Sequence, residues 1–131
     1  MKKELNQDIE TRDKIIYGKY RPNKYKFGNI CYFKEMPLKT LTQLFDEKFI
    51  DPDCYKGKAP TAQEILDFIT CYPEYSVHGF TVNIDDENYG VYIEGVEKGS
   101  PNNSVEEFKD FMTLFSAYDS FNEKTMYCWF D

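Results

Sequence analysis

At Tyr75 the spacing of the apolar residues changes from three and four to two, and no other feature restricts the fold so sharply. Before that point Leu41, Leu44, Phe45 and Phe49 recur at helical spacing, as do Ala62, Ile65, Leu66, Phe68, Ile69 and Tyr72. After it, His78, Phe80, Val82 and Ile84 alternate with Val77, Gly79, Thr81 and Asn83. The turn DDENYG follows, and VYIEGVE sets Val91, Ile93 and Gly95 against Tyr92, Glu94 and Val96, which predicts a β-hairpin over about 76–97. Helical spacing returns over about 105–118. The run TMYCWFD then reads as a strand, about 125–130, with Met126, Cys128 and Phe130 on one side and Tyr127 and Trp129 on the other. A hairpin, a helix and a returning strand imply an antiparallel sheet. The predicted fold is therefore α+β: a small sheet of three or four strands, the fourth being NICYF at 29–33, packed with three helices at about 41–49, 62–72 and 105–118.

The expected helix starts have a common chemistry. Thr40 with Gln43, Thr61 with Glu64 and Ser104 with Glu107 each match the pattern of a capping box, in which a hydroxyl accepts one unpaired backbone N–H and the side chain three residues on reaches back for another. Pro73 ends the second helix. DPDCYKGKAP, residues 51–60, reads as a loop by its prolines and glycine. No repeat or Gly/Ser-rich linker divides the 131 residues, a length that suits one domain.

Charge divides the chain where the hydrophobic pattern does not. Residues 11–34 carry seven basic groups against the single acid Asp13, whereas residues 35–131 carry seven lysines against nineteen acids. The expected organisation is a basic aromatic arm at 1–34, part of the same domain or partly mobile, joined to a single acidic α+β domain at 35–131. The first ten residues are polar and are expected to fray, and Ile15, Ile16 and Tyr17 read as a strand turn or an anchor onto the body. Next comes KYRPNKYKFGN, whose Gly18, Pro22, Asn23 and Gly28 exclude a long helix.

That arm supports three readings. Tyr17, Tyr20, Tyr25 and Phe27 can stack on the bases of a single strand while Lys14, Lys19, Arg21, Lys24 and Lys26 neutralise phosphates. Alternatively, the arm straps its own acidic body, with the rings supplying most of the attachment because exposed ion pairs contribute at most about 1 kcal/mol each. In the third reading the arm or the acidic face engages another protein by electrostatic complementarity, as when an acidic domain occupies the basic groove of a DNA-binding protein. Tyr20, Arg21, Lys24, Tyr25, Lys26 and Phe27 are the candidate contacts to nucleic acid or partner.

The helix at 105–118 suggests a second surface. Val105, Met112, Phe108, Phe115, Phe111, Tyr118 and Leu114 spread over roughly half its circumference, wider than the ~100° stripe one core contact needs. Either the earlier helices or the arm cover the excess, or a second subunit does; Phe111, Leu114 and Tyr118, on the far flank, are the candidate subunit-interface residues.

Chemistry is harder to place. The one histidine, His78, lies in a predicted strand, where a hydrogen-bonded, half-buried imidazole is expected, and no nucleophile motif accompanies it. Counting an EF-hand from Asp85 puts Tyr89 and Val96 where ligands are required, so DDENYG reads as a solvated turn. Phosphate-loop patterns are missing. Cys31, Cys54, Cys71 and Cys128 are spaced poorly for zinc and read as free thiols. No apolar run spans a bilayer and the first residues lack a secretion signal's apolar region, so a cytoplasmic location is expected. The expectation is a non-enzymatic module that binds another protein or itself, without metal or cofactor and without a membrane partner. The alternative is a nucleic-acid-binding accessory protein acting through residues 14–27, and an enzyme of unfamiliar type ranks third.

Overall fold

In the computed structural model, residues 4–18 and 29–130 are described. The chain runs α1 (Ile9–Tyr17), β1 (Ile30–Met36), α2 (Leu38–Asp46), α3 (Ala62–Cys71), β2 (Ser76–Val82), β3 (Gly90–Glu97), α4 (Val105–Phe115), β4 (Ser120–Asn122) and β5 (Tyr127–Trp129). Every strand pair is antiparallel and the sheet order is β1-β2-β3-β5-β4. The class is α+β, and the described residues form five strands where three or four were expected and four helices where three were.

The added elements lie where the sequence pattern is weakest. α1 occupies part of the expected frayed end. Asp8 caps it by accepting from the N–H and the hydroxyl of Thr11, at 3.2 and 2.6 Å. Ahead of it, Asn6 donates its backbone N–H to the Lys48 carbonyl and its side-chain amide to the Glu47 carbonyl, so residues 4–8 are tied to the end of α2. Ile15, Ile16 and Tyr17 pack against the core from within α1, in keeping with the anchor reading. Arg12 is wholly buried. Its guanidinium pairs with Asp13 at 2.9 Å, donates to the carbonyls of Val82 and Gly90, and lies 4.8 Å from the centre of the Tyr89 ring. The first basic residue of the 11–34 segment is thus a latch between α1 and the β2–β3 turn.

β1 extends three residues past the predicted end. Phe33 pairs with Gly79 and Met36 with Val77, so Lys34 and Glu35 together oppose one residue of β2; Glu35 takes φ 57 to make this bulge. The bulge keeps both Phe33 and Met36 in the core, at a spacing of three that strict alternation does not contain. A second irregularity corrects the predicted faces of β3. His78 pairs with Gly95 and Gly79 with Ile93, leaving Glu94 as the extra residue. Ile93 and Val96 therefore both enter the core, and Tyr92 shares the opposite face with Gly95. Two glycines permit this: a Cβ on Gly79 would stand 1.9 Å from the Tyr92 carbonyl oxygen, and one on Gly95 1.9 Å from that of Cys128.

One of the three predicted capping boxes forms in full. Thr61 Oγ1 accepts from Glu64 N–H at 3.2 Å and Glu64 returns to Thr61 N–H at 3.0 Å. Ser104 caps α4 through Glu107 N–H, but the Glu107 carboxylate is drawn away to Tyr75 Oη and Lys98 Nζ, at 3.0 and 2.9 Å. α2 begins earlier than expected, after Pro37, with Thr40 inside the helix; Gln43 donates forward to Glu47 rather than back. Past the end of α2, Lys48 turns through φ 68, which returns Phe49 to the interior.

The core lies between the helices and one face of the sheet. Leu41 and Leu44 of α2, Ile65 and Ile69 of α3 and Phe111 and Phe115 of α4 meet Val77, Val91, Ile93 and Val96 there. Met126, Cys128 and Phe130 join them as the predicted alternation required. Burial pushes the Cys128 thiol up to about 12.

Candidate partner-binding surface

Alternation along the strands gives the sheet two faces of different character. One packs on the helices. The other carries Tyr32 of β1, His78 and Phe80 of β2, Tyr92 of β3, and Tyr127 and Trp129 of β5, all half-buried or exposed and none of them in the hydrophobic core. Tyr32 is 66% exposed and meets Phe80 edge-on at 6.2 Å; Phe80 stacks on Tyr92 at 5.1 Å with the planes 21° apart. His78 stacks on Tyr127 at 5.0 Å. Six rings thus share one face, three of them touching in one group and His78 with Tyr127 in another, an aromatic surface of the kind that marks a contact site.

A loop completes one end of it. β5 pairs with β3 only at Gly95 and Val96, so the first half of β3 lies beyond its reach. Cys54, Tyr55 and Lys56 close on that half, lining a small cavity with Val91, Tyr92 and Ile93. Lys56 bonds to the Glu94 carboxylate and its ammonium lies 5.2 Å from the centre of the Phe80 ring. Between this loop, the sheet face and the β2–β3 turn is a cleft of about 450 Å³ lined by Tyr55, Lys56, Phe80 and Tyr92 together with Ile30, Val82, Asp86 and Asn88. A second cleft of about 450 Å³ adjoins it across Tyr92 and shares Asp86 and Asn88, adding Glu4, Asp51 and Glu87. Burial, then the electrostatic influence of nearby Cys54, Asp86 and Asp51, raises the pKa of the Tyr92 phenol and keeps it protonated. Its hydroxyl donates to the Asn88 carbonyl at 2.6 Å, which ties the turn to the ring wall.

The predicted site residues fall elsewhere. Tyr20, Arg21, Lys24, Tyr25, Lys26 and Phe27 lie outside the described residues. Phe111 has no exposed surface; it stacks on Tyr75 at 5.9 Å and packs against Phe68, Phe115 and Phe121. Leu114 and Tyr118 are half-buried against the core, and Tyr118 meets Phe121 at 5.1 Å. On the wide face of α4, Phe111 and Phe115 are fully covered by their own chain, with Phe68 of α3 against both and Phe121 of the unpredicted β4 against Phe111, which leaves Phe111 nothing to offer a partner in this fold. The α4 helix itself stops at Phe115, and Val105, its first residue, is 88% exposed.

His78 departs from the expected hydrogen-bonded histidine. Its Nε2 is buried under Gly95 without a hydrogen-bond partner among the described residues. Burial lowers its pKa, opposed by the charge of Glu94, so the imidazole is held neutral. Neither cleft includes it. In DDENYG, Asp86 accepts from Asn88 N–H at 2.8 Å and organises the turn; among the described residues no group of three or more His, Cys, Asp or Glu could hold a metal ion.

Sequence reasoning missed Tyr32, Tyr55, Lys56 and Tyr92 as surface residues. The alternation of β2 already put Phe80 beside His78, but the bulge at Glu94 and the position of the 51–60 loop depend on contacts between distant segments. No described helix is long and apolar enough to cross a membrane. No family model matches the chain, and no curated protein or solved structure matches it significantly.

Proposed function

We propose that this chain is a non-catalytic binding module whose partner is another protein, received on the open face of the sheet. The observation that carries the reading is the row of rings, Tyr32, Phe80, Tyr92, Tyr127 and Trp129, left outside the core on a face where alternation would ordinarily place polar side chains. Aromatic side chains are enriched at protein interfaces because they bury much area for little rotamer entropy. The charge of the chain, −7, suits a protein partner better than a polyanion.

Parallel selections from a random peptide library and a random single-stranded oligonucleotide pool test this. Enrichment of peptides that then fail to bind a Tyr32→Ser, Trp129→Ser double variant is the expected result. Enrichment of oligonucleotides alone transfers the function to the alternative reading through Tyr20, Arg21, Lys24 and Tyr25. Peptides that bind the double variant as well as the natural chain rule the open face out.

A further inference from the structure

We propose that the cleft lined by Tyr55, Phe80, Tyr92 and Asp86 takes an arginine side chain from a basic segment of the partner protein. This rests on the reading of the open face as a protein-binding surface and names the chemistry of its anchor.

The walls set the shape of what enters. Phe80 and Tyr92 stack on each other and the Lys56 ammonium lies over the Phe80 ring, so the flat surface most open to an incoming group is the Tyr55 ring, 65% exposed, with Tyr92 beside it. A planar group that stacks is favoured over a branched aliphatic one. The charge of the lining sets its sign. Asp86 lines this cleft, and Asp51, Glu87 and Glu4 line the one that adjoins it across Tyr92. The cation of the lining among the described residues, Lys56, is already engaged by Glu94. Among the described residues what remains is negative, a field that draws cations and repels phosphate or carboxylate groups.

A flat ring wall beside a carboxylate selects guanidinium among biological cations. It is planar, stacks on aromatic faces, is weakly hydrated, and presents a donor fork that matches a carboxylate. A lysine ammonium can meet the carboxylates but loses more hydration against the rings and has no face to stack. The source is a protein segment rather than a free small molecule because the cleft opens onto the rest of the ring-bearing face. An extended chain anchored there would go on to cover Tyr32 and the β5 rings, which a free guanidinium compound would leave exposed.

The test is a titration of the full chain with two fluorescent peptides of equal length and charge, one with arginines spaced by glycine and serine, the other with lysines in their place. The arginine peptide is expected to bind about tenfold more tightly, the order of one desolvated cation–π contact. Tyr92→Leu and Asp86→Asn should each bring it down toward the lysine value; the asparagine keeps an oxygen for the Asn88 N–H. Because Tyr92 also braces the turn, Tyr55→Ala, at an exposed loop position, repeats the test without risk to folding. Equal affinity for the two peptides, or indifference to Tyr55→Ala and Asp86→Asn together, overturns the assignment. So does argininamide binding as tightly as the peptide. A peptide without arginine that binds and is lost in the Tyr32→Ser, Trp129→Ser variant would sink the arginine pocket and leave the open-face reading standing. Binding of a single-stranded oligonucleotide in place of either peptide would sink both.

Discussion

Two aromatic clusters lie on opposite sides of the same sheet, built from the same residue types and put to opposite uses. On the helix side, Phe68 sits at the centre of a group in which Tyr72, Tyr75, Phe111 and Phe115 all lie within 6.0 Å of its ring. Both polar ends of this group are occupied: Tyr75 donates to Glu107 and Tyr72 to Asp110, the latter bond raising the Tyr72 phenol to about 12. On the open side, Tyr32, Phe80 and Tyr92 touch one another, and among the described residues no helix packs over them; only Lys56 reaches across the Phe80 ring. Composition does not distinguish the clusters. A ring becomes core or contact surface according to whether a distant segment arrives to cover it, and the four helices among the described residues all arrive on one side.

The largest effect should come from the covered cluster. Phe111→Ala opens a cavity among Phe68, Tyr75, Phe115 and Phe121 and is expected to cost about 3–5 kcal/mol, read from the denaturant midpoint. A loss near zero, or a change in oligomeric state without a loss of stability, would return Phe111 to the surface and erase the contrast.

An intermediate effect should come from the half-buried imidazole of the open face. His78 is the chain's one histidine, buried enough to be held neutral. The unfolded chain takes up its proton more readily than the folded one. Its contribution is therefore intact above the unfolded value near 6.5 and is lost as the pH falls from there toward the lowered folded value. Equilibrium unfolding compared at about pH 7.5 and about pH 5.5 should show the natural chain weakening on acidification, by at most about 1.4 kcal/mol per pH unit, and His78→Phe weakening much less. Equal acid sensitivity in the two would show that the imidazole is solvated or hydrogen-bonded when folded.

The smallest effect should come from the open side. Tyr32→Ala removes a ring that is 66% exposed, and its stability is expected to stay within about 0.5 kcal/mol of the natural chain. A cost approaching that of Phe111→Ala would mean that the open face is covered, and the binding reading would lose its ground.

How much of this was legible depends on the range of the interaction concerned. The Thr61–Glu64 capping box involves residues three apart, and it formed as read. Alternation placed Met126, Cys128 and Phe130 inside and Tyr127 and Trp129 outside because a strand's period is a local property. The Thr40 and Gln43 pattern failed because Pro37 started the helix earlier. Ser104 with Glu107 half failed, because Tyr75, from 32 residues away, competes for the carboxylate. Arg12 looked like one charge of a basic arm; nothing nearby in sequence shows that Val82 and Gly90 would supply carbonyls to bury it. The candidate site was the least legible part, since Tyr55 and Tyr92 are 37 positions apart and become walls of one cleft only when the loop closes on β3.

By itself, then, the sequence determined the period of each segment, hence the α+β class, the hairpin and the inward set of the last strand, because those follow from backbone geometry over a few residues. Tertiary structure alone decided which face of the sheet would be covered, where the bulges at Glu35 and Glu94 would shift the register, and that Phe111 would be core while Tyr32 stayed in water. Burial is a property of the pair of surfaces that meet, and a chain's local pattern specifies only one of them.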